Sequence, residues 1–168
     1  MMNKPTILHS DPDLSVATLE HSLVCVWHGD TTTSGVSRIT RELNMFSASH
    51  PRGFGLITLV EAKASMPETA ERNAIAELLR SFGEKIAASA LIFEGEGFRA
   101  AAVRSVVAGL NLLARQPYPH KVFGTSEEAS NWLAPTLAKA EIPVNPHELN
   151  RTLTDLRGEL SQRRGRGN

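Results

Sequence analysis

Apolar residues along the chain fall into short runs that predict β-strands, separated by longer segments with helical spacing. The run from Leu23 to Trp27 is β-branched and aromatic, which is typical of a buried strand. A weaker pattern from Leu14 to Leu19 predicts a strand that pairs with it through a hairpin at 20–22. Three further apolar runs predict strands at 56–60, 90–93 and 121–124.

The segments between these strands predict four helices. Their apolar stripes lie at 36–46, 75–86, 98–113 and 132–137. Ser65 and Glu68 form a capping box that predicts the start of the second helix, with Pro67 in its first turn. Thr125 and Glu128 form a second capping box before the fourth helix. Strands that alternate with helices predict an α/β domain with a mixed, mostly parallel sheet of about five strands.

The chain of 168 residues has room for one domain of ordinary size. Residues 1–12 are predicted to be a loose N-terminal segment, and residues 13–140 the α/β domain. Pro143 marks a linker and Asn145 caps one more helix, so that residues 141–162 are predicted to be a linker and a C-terminal helix. The arginine-rich residues 163–168 are predicted to form a frayed basic tail.

The C-terminal helix carries leucines at alternating steps of four and three, the spacing of a coiled-coil seam. These leucines are Leu149, Leu153, Leu156 and Leu160. A helix of this length is near the lower limit for standing alone, so it must rest on its own domain or on the same helix of a second chain. We predict a homodimer in which this helix takes part.

Composition and charge exclude several classes of protein. Hydrophobic residues make up 41% of the chain and charged residues 21%, which is typical of a globular protein. Eighteen basic residues balance eighteen acidic ones, so the surplus of positive charge that favours nucleic acid is missing. The single cysteine excludes an internal disulfide. The sequence shows no signal peptide and no bilayer-spanning apolar run, so a cytoplasmic protein without a membrane span is predicted.

The loop from Gly95 to Ala100 has the glycine spacing of a dinucleotide-binding turn. Glu94 and Glu96, however, place two carboxylates where a phosphate would lie. We therefore interpret the loop as a tight turn between a strand and a helix, and we predict no cofactor.

Histidine and cysteine positions do not indicate a metal site. Cys25 and His28 are three residues apart in a strand and point to opposite faces, so they cannot share a metal ion. A buried, inert cysteine and a solvated His28 are expected instead. An enzyme that uses His28, Asp30 and Glu61 at strand ends remains a third hypothesis for the function, because sites in α/β proteins form there.

Ser65 admits two interpretations. Its hydroxyl can cap the second helix by accepting a backbone N–H bond. It can also be a regulatory site, because a phosphate at a helix N-terminus meets the helix dipole and adds nearly two charges to a docking surface.

Several stretches of the sequence resemble the STAS-like domain superfamily, which includes the bacterial anti-sigma-factor antagonists. The stretches are 93–98, 103–106, 110–115, 118–123, 127–129 and 132–133. The resemblance implies helices mainly on one face of the sheet and non-enzymatic switching through protein partners. It also implies a regulatory hydroxyl at the start of the second helix, where Ser65 is the nearest candidate and Thr69 the second; the aspartate-serine pair of the antagonists is absent here.

These observations lead to a main hypothesis and an alternative. The chain is predicted to be a non-catalytic regulatory module that binds a protein partner through a surface at Lys63, Ser65, Met66 and Thr69. The alternative is a carrier of a small molecule or lipid, because helices over one face of a mixed sheet can part to leave an apolar pocket.

Overall fold

The computed structural model describes residues 4–167, which form one six-stranded sheet and five helices. The strands are β1 (Thr6–Ser10), β2 (Leu14–Thr18), β3 (Ser22–Trp27), β4 (Phe54–Val60), β5 (Ile86–Phe93) and β6 (His120–Phe123). The helices are α1 (Thr33–Ser49), α2 (Thr69–Ser81), α3 (Gly97–Ala114), α4 (Ser126–Lys139) and α5 (Pro146–Gly165).

The strands lie in the sheet in the order in which they occur along the chain. β1, β2 and β3 are antiparallel, and the pairs from β3 to β6 are all parallel. Helices connect the parallel strands, as parallel pairing requires. The predicted α/β class, with a mixed and mostly parallel sheet and a C-terminal helix, is confirmed.

The N-terminal segment contains a strand that the sequence did not predict. Thr6–Ser10 forms β1 on the edge of the sheet, and its backbone pairs with β2. Only every second residue of β1 is partly buried, so its hydrophobic pattern is weak. The prediction that residues 1–12 are loose is therefore wrong for β1, while residues 1–3 lie outside the described residues.

Helices cover both faces of the sheet. Three of the five, α1, α2 and α3, pack on the face that carries Leu23, Cys25 and Phe93. The helices α4 and α5 pack on the opposite face, which carries Val24 and Ile57. Each face therefore has its own hydrophobic core.

The leucines of α5 belong to this second core. Leu149, Leu153, Leu156 and Leu160 are each at most 1% exposed within a single chain. The prediction that they form an intermolecular seam is therefore wrong, because their side chains already pack on the sheet and α4. The homodimer itself stays a prediction. Asn145 caps α5 as predicted, since its side chain accepts hydrogen bonds from His147 and Glu148.

Arg163 and Arg164 belong to α5, so the prediction of a frayed tail is wrong for them. The last helix continues to Gly165, and Arg164 contacts Glu61 and the backbone oxygen of Pro12. Residue 168 of the predicted tail lies outside the described residues.

The second helix begins later than its capping box predicts. Its first residue is Thr69, and the residue before it, Glu68, makes no side-chain capping bond. Ile86, predicted on the apolar stripe of this helix, instead begins β5 and pairs with Phe54. Helices cover both faces of β5, so Ile86 is buried in the strand. It would also be buried on the apolar stripe of a helix, so its hydrophobic character did not distinguish a strand from a helix at this position.

Candidate functional site

A cavity lies between the sheet and the helices α1, α2 and α3. Its volume is about 130 Å³, close to the roughly 150 Å³ of an apolar protein cavity that accepts benzene. Among the described residues, no aspartate, glutamate, lysine or arginine lines it. The cavity is therefore large enough for one small ring or a short chain, and its walls suit an uncharged molecule.

The floor of the cavity is the middle of the sheet. Cys25, Thr58 and Leu91 lie side by side on β3, β4 and β5 and all line it. Thr58 and Leu91 are only partly buried although they occupy central strands. Residues at such positions are normally covered by a helix, so their partial exposure reflects the space above them.

The helix α3 covers the cavity and is held at both ends by arginines. Near its start, Arg99 Nη2 donates a hydrogen bond to the backbone oxygen of Ala64 at 2.5 Å. Near its end, Arg80 Nη2 donates to the backbone oxygen of Leu113 at 3.2 Å. Its inward residues Val103 and Val107 are buried against Phe93. These contacts keep α3 over the floor without filling the space beneath it.

One end of the cavity is polar. Ser89, Asn111, Gln116 and His120 line it there, where β5 and β6 pair through Ser89 and His120. The Oγ atom of Ser89 lies 3.0 Å from Nδ1 of His120 and fixes the ring. Burial lowers the pKa of His120 to about 4, so the imidazole is neutral at pH 7.

Two polar atoms at this end have no hydrogen-bond partner among the described residues. They are Oε1 of Gln116 and Nε2 of His120, and both are buried. Buried polar atoms are nearly always paired, because leaving one unpaired costs about 1–3 kcal/mol. This pair of atoms is the feature of the site that sequence patterns did not reveal, since nothing in the spacing of the residues shows which atoms lack partners.

The predicted interface residues lie near the other end of the cavity and divide into two groups. Ser65 and Met66 line the cavity, whereas Lys63 and Thr69 are exposed to solvent. The segment between β4 and α2 that contains these residues is hydrogen-bonded to the loop after β3, since Ser65 N donates to Gly29 O at 3.0 Å.

Ser65 is not a helix cap, so that interpretation is wrong. Its hydroxyl accepts a hydrogen bond from Thr31 N at 3.2 Å, and the residue lies four positions before α2 begins. The capping box therefore lies in the connection between β4 and α2, before the helix begins. The regulatory interpretation of Ser65 stays a prediction.

Cys25 is buried, as predicted. It also lines the cavity. Burial raises the pKa of its thiol to about 12, so the nucleophilic thiolate is not formed at pH 7.

The glycine-rich loop before α3 has a structural explanation. Gly97 adopts a φ of 63°, a conformation that favours glycine, as it starts the helix. A side chain at Gly95 would collide with the ring of Phe93. Glu94 pairs with Arg157 of α5, which keeps a carboxylate beside the loop. These contacts explain the glycines without a bound nucleotide.

A second polar cluster lies where β3 and β4 end, on the edge that faces α5. His28 is only 3% exposed, so the prediction of a solvated His28 is wrong. Its Nδ1 contacts the carboxylate of Glu61, and its Nε2 lies 2.8 Å from Oγ of Ser15. Arg157 and Arg164 lie 3.7 and 3.4 Å from the same carboxylate. Burial lowers the pKa of His28, against the raising effect of Glu61.

The order serine, histidine, glutamate is also that of a nucleophilic triad. Here, however, Ser15, the second residue of β2, is only 1% exposed, and its hydroxyl also contacts Ser10. A substrate has no access to such a hydroxyl. Asp30, the third residue of the enzyme hypothesis, is exposed and does not join the cluster; its backbone N–H donates to Asp13. We interpret the cluster as a link between the sheet and α5.

The described residues bear on two further properties, metal binding and membrane insertion. Within residues 4–167, no group of three or more histidine, cysteine, aspartate or glutamate side chains could hold a metal ion. In the same range, α3 is the one helix with the length and composition to cross a bilayer. Its outward side exposes Phe98, Leu112 and Leu113, while its inward side packs on the domain. The absence of a membrane span stays a prediction.

A comparison of the chain with models of protein families and with curated proteins finds no match, so that the geometry of the cavity is the basis for a functional conclusion.

Proposed function

We propose that the chain is a non-catalytic module that binds a small, uncharged, apolar molecule in the cavity between the sheet and α1–α3. The observation that carries this proposal is the cavity itself, an apolar space over the neighbouring strands β3, β4 and β5. Native interiors are close-packed and leave few voids larger than a water molecule. A cavity of this size lowers stability, so a bound molecule offers a physical reason for it.

The buried candidates for a nucleophile support a binding rather than a catalytic role. Cys25 carries a thiol whose pKa is raised to about 12, and Ser15 lies within the sheet. The resemblance to STAS-like domains agrees with this proposal, because it implies an activity without catalysis.

The regulatory partner protein of the main sequence hypothesis remains a second candidate. The observation that favours it is the position of the segment before α2, in which Met66 lines the cavity and Lys63 faces solvent. A partner docked there would contact the same segment as the bound molecule. Exchange of Ser65 for Asp tests this hypothesis: it predicts that the variant keeps the fold and loses affinity for a partner protein.

Toluene is a suitable probe for the proposed binding site because it is uncharged and fits the cavity volume. A ligand that binds only the folded state raises the melting temperature in a saturable way. We expect toluene to stabilise the wild type, and Leu91→Trp to lose most of this effect because the indole fills the floor of the cavity. Leu112→Trp is the matched control, since Leu112 is 81% exposed on the outer side of α3. Both variants are checked for native circular dichroism.

The proposal fails if toluene does not stabilise the wild type. It also fails if Leu91→Trp and Leu112→Trp respond to toluene equally, since the binding site would then lie elsewhere.

A further inference from the structure

The polar end of the cavity defines the ligand more closely than the apolar walls do. The two unpaired atoms, Gln116 Oε1 and His120 Nε2, belong to residues that line the same cavity. We infer that the ligand carries a hydroxyl group, which binds between Gln116 and His120 while the apolar body lies over β4 and β5. This inference rests on the proposed function.

A hydroxyl group satisfies both atoms because it donates one hydrogen bond and accepts others. The amide oxygen of Gln116 can only accept, so it needs a donor from the ligand. The ring of His120 is held at Nδ1 by Ser89, 3.0 Å away. When the Ser89 hydroxyl donates to Nδ1, the proton of the neutral ring is on Nε2, which donates to the ligand oxygen. A ketone or an ether would pair with His120 alone.

The lining also requires a ligand without net charge. Among the described residues, no lysine or arginine lines the cavity to pair with an anion, and no acidic side chain lines it to pair with a cation. Burial keeps His120 neutral, with a pKa lowered to about 4. An ionised ligand would lose its hydration without gaining a partner. The site therefore favours a neutral alcohol or phenol over a carboxylate of the same size.

A comparison of phenol with toluene isolates the contribution of the hydroxyl group to binding, because the two molecules differ only by a hydroxyl in place of a methyl group. The quantity to measure is the ratio of the toluene Kd to the phenol Kd, by titration calorimetry. We expect this ratio to fall at least about tenfold, or about 1.4 kcal/mol, in Gln116→Leu and in His120→Leu. Both variants should bind toluene as well as the wild type does. Benzoate should not bind at pH 7.

Two further measurements make the result specific to this site. Gln162→Leu makes the same substitution on the exposed side of α5 and should leave the ratio unchanged. The unliganded Gln116→Leu variant should melt no lower than the wild type, because an unpaired buried polar atom has been replaced by an apolar group. If only one of the two cavity variants folds, it alone decides the result.

The outcomes separate this inference from the proposed function. If toluene binds but the ratio is unchanged in the folded variants, the hydroxyl assignment is wrong and the apolar site stands. If benzoate binds as tightly as phenol, the requirement for a neutral ligand is wrong. If neither phenol nor toluene binds the wild type, both proposals fail together.

Discussion

The packing of α5 on its own sheet makes a quantitative prediction for Leu153→Ala. Leu153 is 1% exposed and lies in the core beside Leu149, Leu156 and Leu137. Removal of a leucine side chain from such a position costs about 2.7–5 kcal/mol, from lost burial and from the cavity that remains. We expect about 3 kcal/mol here. This loss is a large share of the roughly 5–15 kcal/mol that stabilises a typical protein.

Urea unfolding followed by circular dichroism measures this loss, and thermal unfolding gives a second reading. For a chain of this size each kcal/mol lowers the melting temperature by about 2–4 °C, so the variant should melt about 6–12 °C lower. Gln162→Ala, on the exposed side of the same helix, should change the stability by less than about 0.5 kcal/mol.

The alternative, an intermolecular seam, predicts a different result. In that case Leu153→Ala would reduce the mass seen by light scattering, and the stability of the wild type would fall on dilution. Packing of α5 on its own sheet is refuted if the variant loses less than about 1 kcal/mol, or if the substitution converts a dimer into a monomer of undiminished stability. Any homodimer of the wild type must use a surface other than these leucines.

Three further predictions concern the polar clusters and the glycine loop. Glu61→Gln should lower the free energy of unfolding by about 1–3 kcal/mol in urea, because His28 and two arginines lose their shared anion. Toluene binding should be unchanged; weaker binding would show that this cluster is coupled to the cavity. In the folded state burial lowers the pKa of His120 to about 4, so its ring stays neutral down to about that pH. In the unfolded chain the same ring is protonated below about pH 6.5. The stability of the wild type relative to His120→Leu should therefore decrease by up to about 3 kcal/mol as the pH falls through this window, and a constant difference would contradict this reasoning. Millimolar ATP or NAD should not raise the melting temperature, because two carboxylates flank the glycine loop; a rise that Gly97→Val abolishes would contradict this.

The sequence by itself determined the fold class, because the period of the apolar residues differs between strands and helices. Most of the strands and helices were predicted from this period, and the caps at Thr125 and Asn145 were predicted from their side chains. Local signals of this kind suffice for a helix and its caps, whose hydrogen bonds are made within the segment, and for a strand whose apolar run is distinct.

Contacts between distant segments decided the remaining features. The strand β1 forms because its backbone pairs with the edge of β2. The four leucines of α5 have the spacing of an intermolecular seam, but they pack on the sheet of their own chain. A stripe of leucines shows that one side of a helix must be covered, but it does not identify the covering surface.

The site was least accessible to sequence reasoning. The residues of the cavity come from four strands, three helices and the loops between them, and Ser89 and His120 are 31 positions apart. Whether side chains fill the space between a sheet and its helices depends on how far apart the backbones lie. That distance, and the two polar atoms left without partners, are properties of the tertiary structure, because they arise only when all of these segments pack together.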